Sequence, residues 1–386
     1  MYKYQLIILG TIKPVVDDIV SLFYQKIEEL KLQKEFYKIF FKGDLPSYKG
    51  NQPTFVLYFG NENGYFEDIE EIEMLYKEGN IILPIFNKSF SKEIPKLLSN
   101  HNGLEYSEYL KDKIVDLALE SYGKLRNSRK IFISYKRDES TSIAIQLYEV
   151  LEKNNFDVFL DTHSIKQGEP FQDELWHRMT DCDVILLLNT PKFLESEWCE
   201  KEIAEASVKQ IGIIQAIWPN HKLERMAEIC FPYQLTSTNF VNGIYNNKDT
   251  SKLKDDTIND LVNQVESIRA RNLASRQDNL IIEFLNSARK YGKKVTIQPE
   301  RFITEEVEGN MRRIFIPSVG IPQSFDYNTS SELKKEIKKY SVKEVYLIYD
   351  DVRIREKWLK HLGYLNEYLD VKTIKKQEFD IWLQKN

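Results

Sequence analysis

The sequence predicts an α/β protein built from three consecutive segments. Short apolar runs of strand length, rich in β-branched and aromatic residues, alternate with stretches whose apolar residues recur at helical spacing. The chain has 386 residues, a length that suits two or three domains. Strands that alternate with helices predict mostly parallel sheets with helices on both faces. We place the segments at 1–125, 128–272 and 278–386.

The first segment shows this alternation directly. Strand-like runs lie at 4–10, 36–41, 54–60 and 81–86, and helical patterns lie at 16–27 and 69–75. Gly, Pro and Asn punctuate the runs. A polar stretch at 121–130 predicts the joint to the second segment.

The second and third segments follow the same pattern. The second has predicted strands at 130–135, 156–161, 183–189 and 211–219, with helices at 143–151, 170–179, 196–208 and 257–270. The third has predicted strands at 294–299, 312–319, 345–351 and 371–376, with helices at 278–292, 330–340 and 354–369.

The composition argues against several classes of protein. Apolar residues make up 42% and charged residues 29%, which is typical of globular chains rather than disordered or fibrous ones. With 54 Lys and Arg against 59 Asp and Glu, the net charge is −5, so we predict no direct contact with nucleic acid and none with a membrane. Apolar runs fall far short of the roughly 20 residues of a membrane span, and no signal peptide is recognisable. We expect a cytoplasmic protein.

Cysteines, histidines and glycines give no sign of a metal or nucleotide-cofactor motif. Cys182, Cys199 and Cys230 form no CxxC pair, and the five histidines show no paired ligand spacing. The chain has neither a Walker loop nor a GxGxxG fingerprint. We therefore predict no metal and no bound cofactor.

Four blocks of the second segment resemble the Toll/interleukin-1 receptor (TIR) family in their order and spacing. They are KIFISYKRDES at 130–140, FDVFLDTHSIKQGEPF at 156–171, DVILLLNTPKFLESEWCEKEIAEA at 183–206 and IIQAIWP at 213–219. The resemblance extends over about 128–272, to bacterial TIR proteins of the NAD-consuming type. It implies a central flavodoxin-like TIR domain with a parallel sheet, flanked by N- and C-terminal α/β domains. The family includes enzymes that split NAD+ at its nicotinamide–ribose bond and adaptors that only assemble.

Trp198 and Glu202 favour the enzymatic interpretation. They are four residues apart, which places them one turn apart on the same helix face. Catalytic TIR domains resemble this sequence in carrying a glutamate at the fourth position after that tryptophan. The resemblance implies that Glu202 is catalytic and that Trp198 contacts the substrate, although a core tryptophan is an equal alternative. Without the family context, Glu202 would be one charge of an acidic surface helix.

The resemblance also implies the remaining substrate contacts. The residues that end the first strand of this segment would border the nucleotide, and an Arg or Lys there suits a diphosphate. The alternative for Lys136 is a solvated basic turn. The substrate contacts implied at this strand end are Ser134, Tyr135, Lys136 and Arg137.

A long loop follows the second strand, and it corresponds to the BB loop of the family. The resemblance implies that protomers pack through this loop, so we expect self-association through 161–171. Asp161 and Phe171, at its two ends, complete the predicted substrate contacts.

The flanking segments are predicted to regulate the TIR domain. Residues 79–107 resemble the late part of a TIR-like sheet but lack the WxxxE pattern, which favours a non-catalytic sensing or regulatory module at 1–125. No family resemblance is recognised in the segment 278–386. Its Asp350–Asp351 pair follows a strand and is a candidate ribose or metal site, with ordinary solvated or helix-capping acids as the alternative.

These inferences together predict an NAD+ nucleosidase. It would release nicotinamide and give ADP-ribose or a cyclic ADP-ribose-type product, with NAD+ as substrate rather than cofactor. The resemblance implies activation by oligomerisation, a trigger bound by a flanking domain, and a role in antiviral defence. Two alternatives stay open, a non-catalytic TIR scaffold or adaptor and a nucleotide sensor that acts through a flanking domain.

Overall fold

The computed structural model describes residues 4–11, 14–50, 52–122, 124–125, 128–160, 171–193, 211–222 and 230–386. The chain divides into two compact units, 1–127 and 128–386. The described residues form three five-stranded sheets, one in the first unit and two in the second. The predicted α/β class is confirmed. No helix in the described ranges is long and apolar enough to span a membrane.

The first unit is built on a parallel sheet of order β2-β1-β3-β4-β5. Its central strands bury side chains on both faces, which explains their nearly continuous apolar runs. Gly10 ends β1 with φ near 84°, a left-handed conformation in which the chain passes close to Phe59. The strands are β1 Tyr4–Gly10, β2 Tyr37–Phe40, β3 Thr54–Phe59, β4 Ile81–Phe86 and β5 Leu104–Glu105, and the helices are α1 Val15–Glu29, α2 Ile69–Lys77, α3 Phe90–Glu93 and α4 Lys111–Ser121.

The second sheet has the order β10-β9-β8-β6-β7, and all its neighbouring strands are parallel. Counted from its first strand, this is the 2-1-3-4-5 order of flavodoxin-like folds, and the first sheet has the same order. The flavodoxin-like fold expected for the central domain is thereby confirmed. The strands are β6 Lys130–Ser134, β7 Asp157–Leu160, β8 Val184–Asn189, β9 Gly212–Ile217 and β10 Phe231–Gln234, with helices α5 Arg137–Lys153 and α6 Phe171–Asp181.

One long helix, α7 Asp255–Lys290, belongs to both sheets of the second unit. Leu261 and Val265 from its first half pack in the core of the second sheet, while Phe284 and Ala288 pack in the core of the third. The sequence predicted two helices, 257–270 and 278–292, with a break between them. The structure has a single helix because no Gly or Pro interrupts this stretch.

The third sheet has the order β11-β12-β13-β14-β15. Its first three strands are antiparallel, and the last three are parallel. Apolar residues of α7 and α10 cover one face, and those of α8 and α9 cover the other. The strands are β11 Val295–Ile297, β12 Ile303–Glu308, β13 Met311–Pro317, β14 Ser341–Tyr349 and β15 Val371–Lys375, and the helices are α8 Ser324–Glu336, α9 Glu356–Tyr368 and α10 Phe379–Lys385.

Candidate functional site

The candidate site lies at the carboxyl edge of the second sheet. Because its strands are parallel, β6, β8 and β9 end at the same edge, at Ser134, Asn189 and Ile217 respectively. Open parallel sheets bind their ligands at this edge, in crevices between the loops that leave the strands. Ser134, a predicted substrate contact, is nearly buried there.

Lys136 is the residue immediately before α5, and Arg137 is the first residue of that helix. The Nζ of Lys136 donates a hydrogen bond to the carbonyl of Lys192 at 2.7 Å, and the Glu139 carboxylate accepts one from the Lys192 amide at 3.0 Å. These two bonds fasten the segment after β8 to the start of α5. Arg137 is exposed at the first turn of the helix.

Tyr135 has a different position from its neighbours. It is 5% exposed and packs in the core cluster of the second sheet with Ile133 and Ile143. The structure therefore brings Ser134, Lys136 and Arg137 to the edge, while Tyr135 contributes mainly to the core beneath it.

The structure adds a polar cluster at this edge that the sequence did not reveal. The Nε2 of His221 lies 3.1 Å from Oδ1 of Asn189, whose Nδ2 donates to the carbonyl of Lys222 at 3.3 Å. Thr190 is fully buried, and its Oγ1 has no hydrogen-bond partner among the described residues. The available signal was the polar pair Asn189 and Thr190 at the end of the apolar strand β8. The contact between them depends on the tertiary fold.

Four of the predicted site residues cannot be compared with the structure in full. Asp161, Trp198 and Glu202 lie outside the described residues, and so does the side chain of Phe171, whose backbone begins α6. In chain order, the undescribed segments 161–170, 194–210 and 223–229 follow β7, β8 and β9 respectively, beyond their carboxyl ends. The roles assigned to these residues stay predictions.

Several basic residues lie at this edge of the sheet. Lys136, Arg137, Lys192 and Lys222 all lie on the segments that leave its strands. The same edge also carries acidic side chains, since the first turn of α5 holds Asp138 and Glu139. Within the described ranges, no group of three or more His, Cys, Asp or Glu side chains is placed to hold a metal ion.

Comparison with known proteins identifies a family within the second segment of the chain. The TIR domain family model matches residues 131–249. The 2' cyclic ADP-D-ribose synthase BtTIR of Bacteroides thetaiotaomicron is 24% identical over 97 residues, which is 24% of this chain and 33% of that protein. The chain thus spans about a third of the length of this relative. Among solved structures, tagatose-6-phosphate ketose/aldose isomerase from Escherichia coli aligns at 12% identity over 72% of this chain and 81% of that one, but its TM-score of 0.21 supports no conclusion. Residues 131–249 of this chain are a TIR domain.

Proposed function

We propose that the TIR domain cleaves NAD+ at the nicotinamide–ribose bond, with Glu202 as the catalytic carboxylate. The observation that carries the proposal is the Trp198-x-x-x-Glu202 spacing within a stretch that matches the TIR family model. A relative whose name describes the synthesis of 2' cyclic ADP-D-ribose supports it. The basic carboxyl edge of the sheet supports it further, since a dinucleotide brings a diphosphate.

A single carboxylate is sufficient for this reaction. Most glycosidases need two carboxyl groups because the leaving oxygen must be protonated. In NAD+ the nicotinamide nitrogen is already positively charged and leaves as a neutral molecule, so no general acid is required. The enzyme must orient the ribose and stabilise the positive charge that develops on its ring. A carboxylate in a cleft that excludes water does both.

The product depends on which nucleophile captures the ribose. The bond between C1′ and the nicotinamide nitrogen breaks, and its electron pair stays on the nitrogen. Attack by water forms a new C1′–O bond and gives ADP-ribose and a proton. Attack by a nucleophilic group on the adenine side of the same molecule closes a ring and gives a cyclic ADP-ribose-type product and a proton. Both products belong to the proposal.

The described residues have positioning roles in this proposal. Arg137 faces the diphosphate, and Lys136 helps to hold the loop after β8 through its bond to Lys192. Self-association through 161–171 completes the cleft, and a trigger bound by a flanking region controls it. The family resemblance favours antiviral defence as the setting.

The direct test measures nicotinamide release from NAD+ by the full-length chain, at several protein concentrations because self-association is part of the proposal. We expect Glu202→Gln to lower the rate by roughly 10²–10³-fold, since it keeps the shape of the side chain and removes its charge. Glu200→Gln is the matched control, because Glu200 is two residues from Glu202 and therefore about 200° around the same predicted helix. Equal rates for the wild type and Glu202→Gln would refute the assignment.

A further inference from the structure

A second candidate binding site lies within the second unit, at the carboxyl edge of the third sheet. A cavity of about 80 Å³ opens there between the strand ends, α7 and the end of α6. Its volume is several times what one water molecule needs. A group of a few non-hydrogen atoms, such as a phosphate, therefore fits inside it. Its polar lining includes Arg276, Asn279, Glu283, Gly320, Asp350 and Lys376.

The topology of the third sheet creates this cavity. After β14 the chain passes to α9, whose Leu362 packs on one face of the sheet. After β15 it passes to α10, whose Phe379 packs on the opposite face. Loops that leave two adjacent parallel strands in opposite directions open a crevice, which is where open α/β sheets bind ligands. Asp350 and Lys376 are the first residues of these two loops.

The charges in the cavity are of both signs and lie close together. The Nζ of Lys376 lies 2.8 Å from a carboxylate oxygen of Glu283 and 3.9 Å from one of Asp350. All three side chains are partly exposed, so a ligand can reach them. The ammonium group suits an anion, and the carboxylates accept hydrogen bonds from hydroxyl groups. No cluster of metal ligands is present among the described residues.

The TIR domain contributes one wall of the cavity. Arg276 of α7 donates 2.8 Å hydrogen bonds to the carbonyls of Thr180 and Cys182, at the C-terminal end of α6. Thr180 is 2% exposed, and its Oγ1 has no hydrogen-bond partner among the described residues. A buried hydroxyl without a partner is costly. A bound ligand oxygen would satisfy it.

We infer that this cavity binds a small anion that carries hydroxyl groups, a phosphorylated sugar being the simplest example. Lys376 and the backbone near Gly320 hold the anionic group, and Asp350 and Glu283 accept hydrogen bonds from the hydroxyls. Gly320 has φ near 78°, a left-handed conformation that glycine adopts without strain, and it has no side chain between its backbone and the cavity.

Occupancy of the cavity acts on the TIR domain through α6. This consequence rests on the proposed function, whereas binding itself does not. The helix follows the predicted loop 161–170, and its last turn is held by groups that line or adjoin the cavity. Besides Arg276, the amide of Ile321 donates to the Asp181 carboxylate at 2.9 Å. A ligand that bridges Thr180 to the loops of the third sheet stabilises this turn.

Calorimetry on the full-length chain tests the binding, with ribose 5-phosphate, ribose and inorganic phosphate as probes. We expect a Kd below about 1 mM for ribose 5-phosphate, about tenfold weaker binding of phosphate, and no measurable binding of ribose. Asp350→Asn and Lys376→Met should each weaken the binding of ribose 5-phosphate at least about tenfold. Asp370→Asn and Lys372→Met are matched controls, since they lie exposed at the other end of β15.

Three results would overturn the inference: no heat with 10 mM ribose 5-phosphate, equal affinity for phosphate alone, or equal losses in the cavity variants and the controls. The melting temperature of each variant without ligand verifies that it is folded. Hydrogen exchange then measures the coupling. Amides at 177–182 should exchange several-fold more slowly when the cavity is saturated, and an unchanged rate would refute the link to α6. None of these measurements uses NAD+, so failure of the proposed function is recognised separately.

Discussion

Asp351 is a carboxyl group that the third sheet holds largely away from water. It is 7% exposed, and burial raises the pKa of Asp351 above its ordinary value. The folded protein therefore disfavours the ionised form of Asp351. At neutral pH, where Asp351 is ionised, this cost lowers the free energy of unfolding. The penalty disappears as the pH falls through the raised pKa towards the ordinary value of 3.8, because both states are then protonated.

Asp351→Asn should consequently raise the melting temperature at pH 7, by about 1–3 °C. The amide oxygen of Asn can still accept the hydrogen bond from the Gln377 amide. This gain in melting temperature should shrink as the pH is lowered towards 4. Scanning calorimetry at a series of pH values measures it. A variant that is less stable at pH 7, or a gain that does not depend on pH, would contradict this account.

Asp183 and Arg269 join the start of β8 to α7 through a fully buried ion pair. The Nε of Arg269 lies 3.0 Å from Oδ2 of Asp183, and neither side chain is exposed to solvent. Asp183→Asn removes the carboxylate charge beside the buried guanidinium, and should lower the free energy of unfolding by about 3 kcal/mol. The urea midpoint measures this. Glu356→Gln removes a charge from an exposed pair with Lys360 and should change the midpoint little.

At the candidate site, the sequence located the correct sheet edge but not all of its residues. Ser134 and Arg137 lie at that edge because an apolar strand must end where polar residues begin. Tyr135 and Ser134 are both buried, and Tyr135 packs in the core cluster that also contains Ile131 and Ile133. The contact between Asn189 and His221 could not be predicted, because it joins two loops that only the sheet order makes neighbours.

Helix α6 is one element through which the C-terminal region, residues 291–386, contacts the TIR domain. The His177 ring is 3% exposed and stacks on Trp358 with centroids 5.6 Å apart, while its Nδ1 accepts a hydrogen bond from the Arg355 amide at 3.4 Å. Trp358→Ala removes the stacking partner. We expect amides in the last turn of α6 to exchange about 3–10 times faster, because such a stack is worth about 0.5–1.5 kcal/mol.

Hydrogen exchange measured by mass spectrometry provides this comparison. Tyr364→Ala is the control, since Tyr364 lies on the same helix, α9, is 58% exposed and stacks only locally on Tyr368 among the described contacts. Exchange in β6 should not change in either variant. Equal exchange of α6 in the wild type and Trp358→Ala would mean that this contact does not stabilise the helix.

Secondary-structure elements with a clear apolar period were predictable from the sequence, whereas a strand rich in charged residues was not. The predicted strands 4–10 and 81–86 coincide with β1 and β4. Strand β12, with the sequence ITEEVE, escaped because three of its six residues are glutamates. It is a strand because β11 and β13 flank it, and Glu305 lies opposite Arg313, whose Nη1 is 3.3 Å from its carboxylate. Because Arg313 lies on another strand, the sequence of β12 alone does not reveal this pairing.

For the whole molecule, α7 makes the C-terminal region an extension of the TIR domain rather than a tethered module. Its second half buries an apolar stripe, Leu280, Ile281, Phe284, Leu285 and Ala288, against the third sheet and its neighbouring elements. A chain shortened to residues 1–290 exposes this stripe, whereas a chain of residues 1–278 lacks it. Each buried apolar side chain of this size is worth about 1.5–3 kcal/mol.

We therefore expect the 1–290 chain to bind the dye ANS strongly and to aggregate, and the 1–278 chain to bind it weakly. ANS fluorescence at equal protein concentration measures the difference. Equal fluorescence of the two shortened chains would show that the stripe does not depend on the C-terminal region for its burial.

At the scale of the whole chain, the α/β class and the TIR domain followed from the sequence because they depend on local periods and on ordered motifs. The continuity of α7 did not, because its polar middle section resembles a linker. In the structure those polar residues are bonded inside the second unit, as Arg276 is to the end of α6.

The central claim is that this chain breaks the bond between nicotinamide and ribose with Glu202. A time course that follows NAD+ loss, free nicotinamide and the ADP-ribose-type product together tests it most directly. The account predicts one nicotinamide for each NAD+ consumed by the wild type, and consumption that is roughly 10²–10³-fold slower with Glu202→Gln. Intact NAD+ after incubation with fully self-associated wild-type protein would contradict it.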